Sequence, residues 1–331
     1  MTLVSTEPAA PAAVTRRERA AGIVQRSGAY LVLALVVLVA SVAFDSFATT
    51  GNAQNIAIQS SFLAIVALGM TFVIISGGID LSVGSVFALG GVLAAYGMRW
   101  GSLAAVLLPL AVCGAIGLLN GVLVGYARLA PFIVTLATLL GARGLLLVIT
   151  DEGAITRVMP ADSLLVRLAQ GSGLGLGWPV WIVLALFGLG AVVLNRTRTG
   201  QSVLAIGGSR DAALLMGLPV ARRTTLLYLA SGLLAGLAGA LAAAYSGSGV
   251  TIVGVGLELD AIAAVVIGGT LLTGGAGTIG GTLCGVLLLR VIQNVINQIG
   301  TLGSSYQSVV SGAFLVVVVV IQAYLSREQR L

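Results

Sequence analysis

The sequence predicts an all-α, polytopic membrane helical bundle. Three observations carry that expectation. Hydrophobic residues make up 58% of the 331-residue chain and charged residues 8%, where a soluble domain carries roughly a quarter charged residues. So little polar surface cannot cover a core of this size in water. The apolar residues fall in runs of about 20, the length that crosses a bilayer as a helix. Glycine numbers 46, and small residues let membrane helices approach closely. The even spread of the runs favours one membrane domain.

Taken in order, residues 1–27 are polar, rich in Ala and Pro, with Arg16, Arg17, Arg19 and Arg26. They read as a flexible cytoplasmic tail. The apolar run from Tyr30 to Phe44 has no convincing small-residue cleavage site and precedes many further runs, so it reads as an anchor and not a signal peptide. Candidate spans lie at roughly 28–47, 55–76, 82–98, 102–126, 130–150, 178–195, 224–246, 255–273, 277–299 and 306–325. That is about ten helices, or as few as eight, because the second, third, eighth and ninth are interrupted or short. The membrane domain covers 28–325, and 326–331 form a second cytoplasmic tail.

Arginine placement orients the chain. With the N-terminus inside, the cytoplasmic segments hold the four tail arginines, Arg128, Arg196, Arg198, Arg210, Arg222, Arg223, Arg327 and Arg330, while the outer segments hold Arg99, Arg157 and Arg167. Arg143 and Arg290 fall within spans. This bias predicts both termini in the cytoplasm. The net charge of +6 is thus a matter of topology and does not point to nucleic acid. The longest external connection, about 151–177, is Gly-rich and has room for a short helix at the outer surface.

Two absences narrow the chemistry. There is no histidine, which excludes His triads, His metal sites and His proton relays, and every basic residue is Arg. A P-loop needs a Lys to reach the phosphates, so this chain holds no such ATP site, and ATP hydrolysis would belong to another subunit. Cys113 and Cys284 sit in apolar runs without metal-ligand spacing and read as small buried hydrophobes. No catalytic residue, metal or cofactor is expected in this chain. An ion-coupled transporter working alone would want acids or His at the midplane, and only Asp80 and Asp260 are available.

The cytoplasmic loop at about 196–223 has its own logic. Gly207 and Gly208 break what precedes, and Ser209 is a good N-cap. Arg210 follows, and Asp211 falls near the positive end of the helix dipole. Ala212, Ala213, Leu214, Leu215 and Met216 form a short helix, Gly217 fits a left-handed C-terminal residue, and Pro219 prevents continuation. Its small apolar face is a weak membrane anchor and fits a cleft in another protein better.

Polar residues inside the runs are the remaining candidates. Asp80, in GGIDLSVGS, is a carboxylate in a long apolar stretch, usually turned to protein or water. Gly77 and Gly78 would break the helix, as happens where backbone lines a cavity. Asp80 or Ser82 would cap the restart. A gate element and a structural cap are both open readings. Near the end of the ninth run, Arg290, Asn294, Asn297 and Gln298 share one helical face with Gln293 beside it, either along a water-filled path or as interhelical glue. Asn120, Thr135 and Thr138 are weaker path candidates, since a Thr can bond its own helix backbone.

Four stretches resemble the permease subunits of ribose- and monosaccharide-type, binding-protein-dependent ABC importers. They are residues 71–91 (TFVIISGGIDLSVGSVFALGG), 120–144 (NGVLVGYARLAPFIVTLATLLGARG), 207–241 around GGSRDAALLMG, and 265–289 (VVIGGTLLTGGAGTIGGTLCGVLLL). In the third, Gly207, Gly208, Ser209, Asp211, Ala212, Ala213 and Gly217 occupy the places of that family's coupling loop. The first, which includes Ser85, matches its GGIDLSVGS signature. The resemblance implies a dimer of permease subunits in the bacterial inner membrane, a cytoplasmic ATPase that binds ATP and Mg, and an external sugar-binding protein. It implies a sugar cargo without saying which sugar.

Overall fold

The computed structural model describes residues 16–299, with side chains from Gly28 onward, together with Tyr306, Val309, Gly312, Ala313 and Val316. Helix α1 (Arg16–Ala43) starts inside the segment expected to be a flexible tail; its first residues are rich in Arg, Glu and Ala, all good helix formers. Residues 1–15, the rest of that tail, lie outside the described residues. Helix α2 (Thr50–Ile75) begins where Thr49 Oγ1 accepts from the Asn52 amide at 3.3 Å. After it come α3 (Val83–Gly97), α4 (Ser102–Gly125), α5 (Pro131–Ile149) and the short α6 (Leu164–Gln170). The chain continues through α7 (Trp178–Arg196), α8 (Arg198–Gly208), α9 (Arg210–Leu215), α10 (Val220–Ser246), α11 (Leu257–Ile267) and α12 (Ile279–Ile299).

Six of these, α2, α4, α5, α7, α10 and α12, are long and apolar enough to cross a membrane, and the apolar part of α1, Gly28–Ala43, is shorter. The count therefore stays below ten among the described residues. Of the candidate spans, 82–98 matches α3 to within a residue at each end, and 255–273 contracts to α11; they have 15 and 11 residues. At 1.5 Å per residue they reach about 22 and 16 Å, short of the roughly 30 Å hydrocarbon core. The cause is glycine. Gly77 (φ +82°) ends α2, and Gly268 with Gly269 (φ +88°) ends α11, so an unbroken apolar run does not become an unbroken helix. The tenth candidate, 306–325, lies outside the described residues except for the five named above.

The centre of the bundle is α2 and α10. Apart from Phe72, α2 is buried from Ser60 to Ile75, which is why its sequence is apolar on every side. Helix α10 packs against α2, α3 and α4 and does so through glycine. On α4, Gly117, Gly121 and Gly125 recur every fourth residue against α10; a Cβ at Gly121 would lie 2.6 Å from Thr225 Cα, and one at Gly125 2.6 Å from the Ala221 carbonyl oxygen. The Thr225 hydroxyl donates to the Gly121 carbonyl at 2.9 Å. On the α3 side, a Cβ at Gly90 would lie 2.8 Å from Gly236 Cα. Helices α4, α5 and α7 sit outside, with Leu103, Leu140, Val148 and Leu189 exposed, as a lipid-facing surface requires.

At the end of the bundle that carries Asn52 and Ser246, the 151–177 connection contains the expected short helix, α6, capped by Ser163. Two-residue strands close it: β1 (Arg157–Val158), β2 (Ser172–Gly173), β3 (Leu176–Gly177) and β4 (Ser248–Gly249), with β1 paired to β4 and β2 to β3, all antiparallel. Gly121→Leu should overpack the α4–α10 crossing and lose about 1–3 kcal/mol or more, read as a lowered thermal midpoint in detergent. Gly188→Leu, with nothing within 4 Å of its Cβ position, should leave the midpoint unchanged.

Candidate functional site

Three segments that are distant in sequence meet at one end of α2. The Gly275 amide donates to the Ile75 carbonyl at 2.9 Å. A Cβ on Gly207 would collide with that same carbonyl and with the Gly275 nitrogen. Gly274 lies against Gly77 and the Gly207 carbonyl, and Gly275 against Gly208. Gly274 (φ +84°) and Gly275 (φ +80°) occupy the left-handed region that favours glycine. The end of α8 is therefore in backbone contact with both interruptions, the one after α2 and the one between α11 and α12. Sequence reading assigned Gly207 and Gly208 to the cytoplasmic loop and Gly77 and Gly78 to a break; the structure joins them and adds Gly274 and Gly275.

The 196–223 loop holds two helices where the sequence indicated one. Helix α8 starts at the Thr197 cap, whose Oγ1 accepts from the Gly200 amide at 3.3 Å, and Val203 and Ile206 face inward. Arg223 Nη1 donates to Thr199 Oγ1 at 2.9 Å, tying α8 to α10. Ser209 Oγ then accepts from the Ala212 amide at 3.2 Å to cap α9, and Gly217 (φ +75°) follows it. Ala213 is buried against Ile206 and Val220. Leu214, Leu215 and Met216 point outward, Leu215 with 90% of its surface exposed, and Arg210, Asp211 and Ala212 are exposed beside them.

Past the first interruption, Asp80 is buried and fully bonded. Its Oδ1 accepts from the Ser82 hydroxyl at 2.6 Å and the Ser82 amide at 3.1 Å, and its Oδ2 accepts from the Ser231 hydroxyl of α10 at 2.8 Å. Asn120 of α4 donates to Ser82 Oγ at 3.1 Å. Tyr228, also on α10, donates to the Ile79 carbonyl at 3.1 Å, and Gly78 leaves room for its hydroxyl. A buried carboxylate is costly unless it is hydrogen-bonded, and here Ser82 and, from α10, Ser231 supply those bonds. The carboxylate holds Ser82, the residue before α3, and ties the interruption to α10 directly and to α4 through Ser82; no side chain caps α3 itself. Ser85 is buried on α3. Thr135 and Thr138 join neither group; their hydroxyls donate to their own helix, at Pro131 (2.9 Å) and Val134 (3.2 Å).

The far end of α2 carries a polar cavity of about 200 Å³, lined by Asn55, Ile56, Gln59, Arg290, Gln293, Asn294 and Asn297. Asn52 and Asn294 exchange hydrogen bonds at 3.2 and 2.8 Å, and Gln298 donates to Asn294 at 2.9 Å. Gln59 and Arg290 also line an adjoining cavity of about 420 Å³ walled by Phe62, Phe87, Tyr245 and Leu257. The α12 stripe thus faces α2 across this cavity, with Asn297 at its exposed rim. Its counterpart on α2 was missed, although Asn52, Asn55 and Gln59 recur at helical spacing and could have been read the same way. Polar amides beside apolar aromatic walls, with volumes suited to a small molecule, can hold an uncharged polar solute. Among the described residues, no group of His, Cys, Asp or Glu could hold a metal ion.

A multi-pass helical bundle with a polar cavity at one end has the architecture of a membrane permease. The chain belongs to the family described as "Branched-chain amino acid transport system / permease component", which matches residues 52–319. It is 39% identical over 302 residues to the ribose import permease of Bacillus subtilis strain 168, covering 91% of this chain and 93% of that one. It is 41% identical over 294 residues to the ribose import permease of Escherichia coli K12, covering 87% and 91%, and 33% identical over 338 residues to the L-arabinose ABC transporter permease of Azospirillum brasilense, covering 98% and 96%. No solved structure matches.

Asp80 and Ser231 should behave as a unit. Asp80→Ala and Ser231→Ala are each expected to lose about 1–3 kcal/mol. The double variant should fall short of the sum by at least about 0.5 kcal/mol, measured by reversible denaturation in detergent.

Proposed function

We propose that this chain is the membrane-spanning permease subunit of a bacterial ABC importer, and that it passes a monosaccharide across the inner membrane by ATP-driven alternating access. The observation that carries this reading is helix α9. It is capped at Ser209, seated through Ala213, and turns Leu214, Leu215 and Met216 outward, while α8 fixes its other side to both interruptions through Gly207. A helix so placed is a handle for a partner that pushes.

The partner is a cytoplasmic ATPase, which binds ATP and Mg; this chain binds neither. An external sugar-binding protein delivers solute at the end where the 151–177 connection, Arg99 and Arg157 lie. A second permease copy or a sister permease completes the path within the bilayer. The termini are cytoplasmic: Arg128, Arg196, Arg198, Arg210, Arg222 and Arg223 lie toward the α9 end, in keeping with the positive-inside rule. ATP-driven displacement of α9 is carried by α8 to the Gly77 and Gly274–Gly275 turns, and the path opens alternately to either side.

The cargo reading draws on the ribose and arabinose named for the relatives and on the amide-rich cavity. Asn and Gln side chains both donate to and accept from hydroxyl groups. Weak contacts suffice here, because selection can reside in the binding protein.

Reconstituting the chain with its ATPase and binding protein in liposomes tests the proposal. D-ribose or L-arabinose with the binding protein should stimulate ATP hydrolysis and accumulate inside. Leu215→Glu with Met216→Glu should cut both by about tenfold or more while the chain still folds. Solute movement by the chain alone, without any ATPase, would overturn the importer reading. Gly207→Ala should fold with a lower midpoint and retain ATPase binding but lose most solute-stimulated hydrolysis. Full coupling in that variant would remove the junction from the mechanism.

A further inference from the structure

An apolar groove of about 370 Å³ runs between α2, α7 and α10. Leu226, Ala230 and Leu233 line it from α10, and Leu186, Leu189 and Val193 from α7, each set at helical spacing. Leu189 and Leu226 are exposed, so the groove opens toward lipid. Thr199 of α8 lines it too, and there its chemistry changes. Arg223 lies one turn before Leu226 on α10, and its Nη1 donates to Thr199 Oγ1 at 2.9 Å. Arg196, in the last turn of α7, lies one turn beyond Val193. Arginines thus stand at the same end of both walls. The Arg223 Nε is buried without a partner, and no carboxylate pairs with either guanidinium among the described residues. Asp211, on the exposed α9, is the only acid between Asp162 and Glu258, so neither wall can neutralise its own arginine.

We propose that this groove binds one anionic phospholipid, with an acyl chain between α7 and α10 and the headgroup phosphate against Arg223 and Arg196. The dimensions agree. From Arg223 to Leu233 the stripe advances ten residues, about 15 Å of helix, which is one leaflet of a hydrocarbon core roughly 30 Å thick. A chain lying there keeps its phosphate level with the arginines. The guanidinium fork matches phosphate oxygens, and Thr199 takes only one of the five N–H groups of Arg223. Basic pockets between membrane helices hold anionic headgroups in this way. A free phosphate would leave the apolar walls unused. A second copy of the chain, related by a two-fold axis along the membrane normal, would set arginine against arginine at the same depth. The bound phosphate also steadies the Arg223–Thr199 bond that ties α8 to α10.

The test uses the purified full chain in neutral detergent and in nanodiscs. Phosphatidylglycerol should raise the thermal midpoint by about 3 °C, whereas phosphatidylcholine with the same acyl chains, and inorganic phosphate, should not. Native mass spectrometry should show one phosphatidylglycerol retained per chain. The difference between the two lipids is then read within each variant, so that any change in baseline stability cancels. Arg196→Gln with Arg223→Gln should abolish it. Ala230→Phe, which fills the groove and keeps both arginines, should abolish it too. Arg222 is exposed and lies off the stripe, and Arg222→Gln should preserve it. Equal stabilisation by the two lipids, or by inorganic phosphate, overturns the proposal. So does an Arg222→Gln chain that loses the difference as fully as the double variant, because the effect is then diffuse surface charge. Leu226→Cys chains that cross-link to each other in nanodiscs overturn it as well, since the face then packs on a second copy. In liposomes with the ATPase and binding protein, solute-stimulated hydrolysis should be faster with phosphatidylglycerol present than with phosphatidylcholine alone. That last arm rests on the importer reading. Selective lipid binding with no hydrolysis in any lipid would sink the importer reading and leave the lipid site standing.

Discussion

The backbone contact at Gly207 is the constraint that joins the loop helices to the bundle. The α8 turn approaches the last carbonyl of α2 so closely that no side chain fits between them, and the Gly275 amide donates to that same carbonyl. Hydrogen bonds between flexible side chains could stretch or exchange partners. A contact of glycine backbones on three segments has no such slack, because protein interiors are close-packed and transmit strain. On the proposed mechanism, a push on α9 would pass through α8 to the end of α2 and the turn between α11 and α12.

The same device recurs through the bundle. Gly117, Gly121 and Gly125 bring α4 against α10, and Gly90 brings α3 against its other side. In lipid there is little hydrophobic drive for one helix to prefer another over the solvent, so close approach and buried hydrogen bonds supply cohesion. Asp80 provides the strongest of those bonds, joining the first interruption to Ser231 on α10 and, through Ser82, to Asn120 on α4. A rigid centre of α2, α3, α4 and α10 results, with the polar cavity at one end and the glycine junction at the other.

Much of this was legible in the chain. The apolar runs located nearly every helix to within a few residues, since bilayer thickness sets their length. The Ser209 cap, Gly217 and Pro219 defined α9, because capping chemistry is local. What failed to show depended on tertiary contact. The length of α11 was hidden inside a continuous apolar run, where only the conformation at Gly268–Gly269 decides that the helix stops. Helix α8 escaped notice because its start is polar and its inward residues, Val203 and Ile206, form too short a stripe. Ser231 and Tyr228 looked like ordinary members of an apolar helix until Asp80 was found beside them. Asp80 itself was read as gate or cap with equal reason; its oxygens prove to be taken up by Ser82 and Ser231.

The central claim is that the 196–223 loop and both interruptions move as one body. Spin labels at Gln201 on α8 and Thr273 in the α11–α12 turn, both exposed positions, allow a direct distance measurement in the assembled complex, with and without ATP. The account predicts one narrow distance that is unchanged by nucleotide. A shift or a splitting of that distance on ATP binding would contradict it, and would mean that the glycine contact slips instead of transmitting.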